Sequence, residues 1–197
     1  MFGLFSGKKE LKVTDCVWKN EAAKYKGILK NYNPNKKIIF LYYFNETKEQ
    51  IKKLMDTSQL PYLSDIFRKE NITITNANNL LNTSTDLSNK VICFIEHHPS
   101  FRLEHTILQY LQSELNVNEV TFHISLDEPL FNYFGAEKII ALLDQLGMAD
   151  DECLQHTLIT KSIVNAQKKI DEKTPNAIET SSAKNWFKAN LDSNSNP

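Results

Sequence analysis

The chain has 197 residues, 41% of them hydrophobic and 24% charged, with a net charge of −1. That length suits one domain with a small helical appendage and buries roughly 70% of the unfolded chain's surface, so folding needs neither disulfides nor metal. Acids and bases are mixed along the chain, without the basic stripe of a nucleic-acid binder, and the 3 cysteines, Cys16, Cys93 and Cys153, are widely spaced with no CxxC pair, which argues against a disulfide framework and a zinc knuckle and fits reduced thiols in the cytosol.

The N-terminus places apolar Phe2, Leu4 and Phe5 before Lys8 and Lys9. A signal peptide has the reverse order and a longer apolar core, so this stretch is read as a frayed end, with contact to a membrane surface as the alternative. No segment approaches the ~20 apolar residues of a spanning helix. Residues 20–32 are predicted to be helical, capped by Asn20, with Tyr25, Ile28, Leu29 and Tyr32 on one apolar face. Residues 37–44 form a continuous apolar and aromatic run, the pattern of a central strand covered on both faces. Thr47-Lys48-Glu49-Gln50 has the form of a capping box opening a helix to about Met55. A short helix is expected from Leu60 to Lys69, a strand over 72–75 and a polar loop over 76–89.

Residues 91–95 are a second strongly apolar strand, with Cys93 buried in it. Pro99-Ser100 opens a helix with Ile107, Leu108, Leu111 and Leu115 on its apolar face, and residues 119–126 make a third strand. From about residue 127 onward the pattern is helical. Ile139, Leu142, Leu143 and Leu146 mark one helix that Gly147 can end, Ile159, Ile163, Ala166 and Ile170 mark the next, and Trp186 and Phe187 anchor a last short one. Strands alternating with helices predict an α/β fold with a parallel sheet and helices on both faces.

Three stretches resemble SecA, the preprotein translocase ATPase. Asp15 to Lys26, with its Glu-Ala-Ala-Lys-Tyr-Lys, resembles the entry into that family's second nucleotide-binding domain. Phe94 to Arg102 resembles the strand and turn the family writes G-T-E-R-H-E-S-R-R. The longest stretch, Phe122 to Asp171, holds Ser125-Leu126-Asp127-Glu128, Phe134-Gly135-Ala136-Glu137-Lys138-Ile139, Leu146 to Glu152, and Asn165-Ala166-Gln167-Lys168-Lys169. The resemblance implies a RecA-like sheet of the helicase C-terminal-half type over residues 13–126. It further implies a helical extension over 127–191 like the start of the SecA scaffold, between a flexible N-terminus (1–12) and a disordered tail (192–197).

The motor chemistry of that family is missing from the sequence. No G-x-x-x-x-G-K-[ST] P-loop is present. The family's box Q-L-R-G-R-S-G-R, whose arginines stabilise transition-state charge on the γ-phosphate, falls on an amphipathic helical pattern. Its arginine positions are Leu108, Tyr110 and Ser113, and its glycines become Gln109, Leu111 and Gln112 or a neighbour; none of these can clamp phosphate. Of the second phosphate-facing motif, A-G-R-G-T-D, only Thr85-Asp86 survives.

The resemblance therefore implies a non-catalytic, SecA-like protein-binding module without cofactor, cytoplasmic or peripheral to the membrane. Its expected partner is SecA, another translocase component or an export substrate, and not nucleic acid. Two alternatives are an ATPase subunit completing a site in trans and an unrelated small-molecule binder. A ligand or partner crevice is expected from Thr85, Asp86, Glu96, His97, His98 and Arg102, and an interface from Trp186 and Phe187, with packing onto the body as the alternative for that pair. Neighbouring His97 and His98 should face opposite ways and so cannot share a metal. Asp127-Glu128 is expected to cap the helix that follows it.

Overall fold

In the computed structural model, residues 10–31, 33, 35–55, 71–134 and 152–191 are described. Five parallel strands form one sheet: β1 (Lys12–Trp18), β2 (Ile38–Tyr42), β3 (Ile72–Asn76), β4 (Val91–Phe94) and β5 (Glu119–Ser125), in the spatial order β1-β5-β4-β2-β3. Helices α1 (Glu21–Lys30), α2 (Asn45–Met55) and α3 (Phe101–Ser113) and a 3-10 turn (Ala77–Asn82) fill the crossovers; α4 (Pro129–Phe134), α5 (Thr157–Lys173) and α6 (Ala183–Asn190) follow. The α/β fold with a RecA-like parallel sheet stands as expected. The helices expected over 60–69 and around Ile139–Gly147, together with Phe2, Leu4, Phe5, Tyr32 and the tail from residue 192, lie outside the described residues.

Each strand sends alternate side chains to opposite faces, and the sheet accordingly separates two cores. On one face Ile38, Phe40, Tyr42, Cys93 and Ile95 pack with Ile28 of α1 and Ile51 of α2. On the other, Ile39, Leu41, Ile92, Phe94, Val120, Phe122 and Ile124 pack with Ile107 and Leu111 of α3, Ile159, Ile163 and Ile170 of α5, and Trp186 of α6. Every residue of β2 is buried, which is why its sequence is apolar without alternation. The helices after residue 127 thus share one core with the sheet.

Three local expectations need correction. The Thr47 box does not open α2: the helix already starts at Asn45, and the Thr47 hydroxyl is drawn to Glu96. The segment beyond residue 127 is not wholly helical, because Leu154 pairs antiparallel with Val17, exchanging both backbone bonds at 2.9 and 3.0 Å and covering part of the β1 edge. Asp127 does not cap the helix that follows it; its Oδ2 accepts from the Glu21 N–H at 2.9 Å, at the first turn of α1. Asn20, by contrast, caps α1 as expected, accepting from Ala23 N–H at 2.8 Å.

Candidate functional site

The crossover from β2 runs outward to β3, whereas that from β4 runs the other way to β5, so the chain directions part between the C-terminal ends of β2 and β4. Open α/β sheets bind ligands at such a point. The backbone N–H groups of Tyr43 and Phe44, leaving β2 for α2, turn inward there and form an anion-binding concavity. A side chain of the chain itself fills it. Glu96, just beyond β4, accepts from Tyr43 N–H at 2.7 Å and Phe44 N–H at 2.9 Å through Oε1, and its Oε2 lies 2.6 Å from the Thr47 hydroxyl. Burial pushes the Glu96 carboxyl up to about 7, although all three of these hydrogen bonds pull it down.

Glu96 forms the floor of a cleft of about 220 Å³ whose charged lining is mainly acidic: Glu21, Glu46, Asp127 and Glu128 with it, against Lys24 and Lys184. Lys24 is committed within the protein. Its buried ammonium donates to Glu128 at 2.8 Å and to the Ile95 carbonyl at 3.0 Å, while the same Glu128 oxygen accepts from Ser125 N–H at 2.9 Å. A polyphosphate here would face carboxylates with the nearest cation already paired.

His97 and His98 diverge. The His97 ring lies flat on Phe122, with centroids 4.1 Å apart, between two carboxylates: Nε2 is 3.2 Å from Asp15 Oδ1, and Nδ1 is 2.9 and 3.0 Å from the Glu104 oxygens. Burial opposes a charge on the ring, but the carboxylates overcome it and raise His97 to about 10; Asp15, in spite of its burial, is held below its ordinary value by His97. Glu104 also accepts from His98 N–H and from the Gln167 amide, which bonds the His98 carbonyl as well, so β1, the turn after β4, α3 and α5 meet at one imidazolium. His98 Nδ1 accepts from Ser100 N–H at 3.0 Å, which places its proton on Nε2, 3.4 Å from Glu179. Tyr43, Phe44 and Trp186 enclose its ring.

The remaining expected site residues are dispersed. Thr85 and Asp86 sit at the opposite end of the sheet from Glu96, where Leu87 N–H bonds the Leu115 carbonyl below the start of β5. Arg102 turns away from the cleft to the end of α5, donating its backbone N–H to Asp171 Oδ2 at 2.8 Å and its guanidinium to the Thr174 carbonyl at 3.3 Å. Trp186 is fully buried and belongs to the core, whereas Phe187 stays partly open beside Tyr133. The box positions Leu108, Tyr110 and Ser113 lie on the half of α3 that runs from the cleft toward the strand N-termini; the Tyr110 hydroxyl donates to the Thr83 carbonyl at 2.8 Å. Sequence reasoning missed Asp15, Glu104 and Gln167, whose only signal is a polar residue on an otherwise buried face.

A parallel sheet flanked by helices is what the SecA resemblance implies, and the turn after β4 keeps the family's Glu and second His at Glu96 and His98, with His97 in place of its Arg. The similarity is to SecA. The chain is 32% identical over 109 residues to protein translocase subunit SecA 1 of Chlorobium chlorochromatii, covering 51% of this chain and 11% of that protein. It is 36% identical over 76 residues to SecA of Alkaliphilus oremlandii, and 38% over 76 residues to SecA of Clostridium botulinum strain Eklund 17B, 39% of this chain in each case. The chain spans about a tenth of the length of these SecA relatives. No protein-family model matches it. Among the described residues no helix is long and apolar enough to cross a membrane, and no group of three His, Cys, Asp or Glu side chains could hold a metal ion.

Proposed function

We infer that this chain is a non-catalytic protein-binding module related to SecA, working in the cytoplasm in association with protein export. The observation that carries the reading is the helical course of α3 through Leu108, Tyr110 and Ser113, which puts no arginine or glycine where the resembled family has its phosphate clamp. A buried carboxylate, Glu96, occupies the position from which backbone N–H groups would hold a phosphate, in a cleft whose lining is mostly acidic. Electrostatics there disfavours a nucleotide and favours a cationic ligand such as a basic polypeptide segment. The similarity to SecA over half of the chain supplies the link to export, and its expected partners are SecA, a translocase component or a secretory precursor.

Calorimetry with magnesium and ATP is expected to give no binding heat; saturable heat would overturn the non-catalytic part and favour a nucleotide site, including one completed in trans. Native affinity capture with protein identification is expected to recover a translocase component or secretory precursors above a Glu46→Lys/Asp127→Lys control. Recovery of neither would remove the export assignment.

A further inference from the structure

Cys16 and Cys153 are 137 positions apart, yet the bridge between Val17 and Leu154 brings their segments side by side. Both project to the face opposite Val17, where Cys153 packs against a small cluster of Cys16, Trp18 and Ala23. The Gln155 amide donates to both sulfurs, at 2.9 Å to Cys16 and 3.5 Å to Cys153. A cavity of about 370 Å³ opens on the pair, with His123 and Thr121 also in its wall. This room is ample for a molecule the size of a peroxide. We propose that Cys153 and Cys16 are a redox-active dithiol that a peroxide oxidises to an intramolecular disulfide, with Cys153 as the attacking sulfur and Cys16 as the resolving one.

Their environments divide the roles. Cys153 is half-buried at the cavity mouth and Cys16 is buried. The neighbouring Cys16 lowers Cys153 below the ordinary thiol value, while Cys153 and burial raise Cys16, so the more exposed Cys153 is the readier nucleophile. Cys93 lines the same cavity but is buried on β4 and pushed up to about 12 by burial, so it stays a thiol. In the first step the Cys153 thiolate attacks one peroxide oxygen. The O–O bond breaks, an S–O bond forms, and the departing hydroxide takes up the proton Cys153 had released and leaves as water. In the second step the Cys16 sulfur attacks the Cys153 sulfur; the S–O bond breaks, and hydroxide leaves with the Cys16 proton as a second water. Two thiols give up two electrons and the peroxide gains them.

The test uses the full, reduced chain and hydrogen peroxide. Free thiols counted after denaturation should fall from three to one, and unreduced peptide mapping should find a Cys16–Cys153 peptide lighter by two hydrogens. Cys16→Ser should instead accumulate a sulfenic acid at Cys153 that a dimedone probe traps. In the untreated protein, limiting iodoacetamide should label Cys153 at least about tenfold faster than Cys16 or Cys93. Three thiols surviving a dose that oxidises free cysteine, a linkage through Cys93, or first labelling at Cys16 would each overturn the proposal. The mapping and labelling need no variant.

Discussion

Replacing His97 by Ala removes the one group that neutralises two buried carboxylates. Asp15 and Glu104 are each nearly inaccessible, and no other cation lies within salt-bridge distance of either among the described residues. Removing one member of a buried charge pair costs about 3–5 kcal/mol, and loss of the stack on Phe122 adds about 1 kcal/mol. A chain of this size loses roughly 2–4 °C per kcal/mol, so a loss of about 4–6 kcal/mol should lower the melting temperature by about 8–24 °C at pH 7. The wild-type pH profile gives a second reading. His97 is raised from 6.5 to about 10, so its contribution is complete below pH 6.5 and fades as pH rises toward 10; the His97→Ala profile should lack that alkaline decline. Asp15 is held below 3.8, so its share is lost on the acid side as pH falls through its lowered value. The assays are thermal unfolding at pH 7 and urea unfolding from pH 5 to 10, both followed by circular dichroism, with an Asp15→Asn, His97→Gln double-mutant cycle to isolate the pair. A His97→Ala protein that melts within about 2 °C of wild type and keeps the alkaline decline would refute the reasoning.

Glu96→Gln keeps an acceptor for Tyr43 and Phe44 and gives Thr47 a donor. The wild-type carboxyl rises from 4.5 to about 7 on folding, so its stabilisation is whole below pH 4.5 and lost as pH climbs through 7. The variant should therefore gain on wild type between pH 5 and 8 by up to roughly 3 kcal/mol in urea midpoint experiments, and a pH-independent difference would contradict this. Gly27→Ala favours the helix by about 1 kcal/mol, but the added methyl meets the Trp18 indole; a net loss of about 1–3 kcal/mol in chemical denaturation is expected. Trp186→Ala should cost about 3–5 kcal/mol, because its ring is wholly enclosed by the core, and an unchanged thermal midpoint would return Trp186 to the surface.

The sheet was legible because burial on both faces leaves apolar runs with no polar interruption, as in residues 38–42 and 91–94. The helix faces were legible for the same reason: Ile159, Ile163, Ala166 and Ile170 recur at helical spacing and all are buried. The Trp186 core role is not decidable from the sequence, since a Trp-Phe pair in a short helix suits a core or an interface. What was not legible were pairings across chain distance. Thr47 and the residues after it match a local box, but a buried carboxylate 49 positions away offers Thr47 a shorter bond, 2.6 Å. Asp127 sits before a helix in sequence, yet the strand order sets it over the first turn of another. Cys16 and Cys153 give no motif at all, because their meeting depends on one extended segment returning to the sheet edge.

The same long-range contacts explain how a sheet of this kind can be stable without a ligand at its switch point. Orphan N–H groups at the start of a helix need an acceptor, and leaving them buried and unmet costs about 1–3 kcal/mol each. In a binding protein that demand draws in an anion from solution. Here Glu96 satisfies Tyr43 and Phe44 from within, and the neighbouring His97 fastens the turn that carries Glu96 to β1 and α3. An anion from solution would have to displace a carboxylate that is already seated. The residue that would have to move is tied to the residue that holds α3 in place, so emptying the concavity and loosening the helix are linked events. Glu96→Ala opens the concavity, so low-millimolar sulfate should protect that variant from urea more than it protects the wild type, whose gain is only the general effect of an excluded salt; equal protection of both would show that the concavity is not what Glu96 occupies.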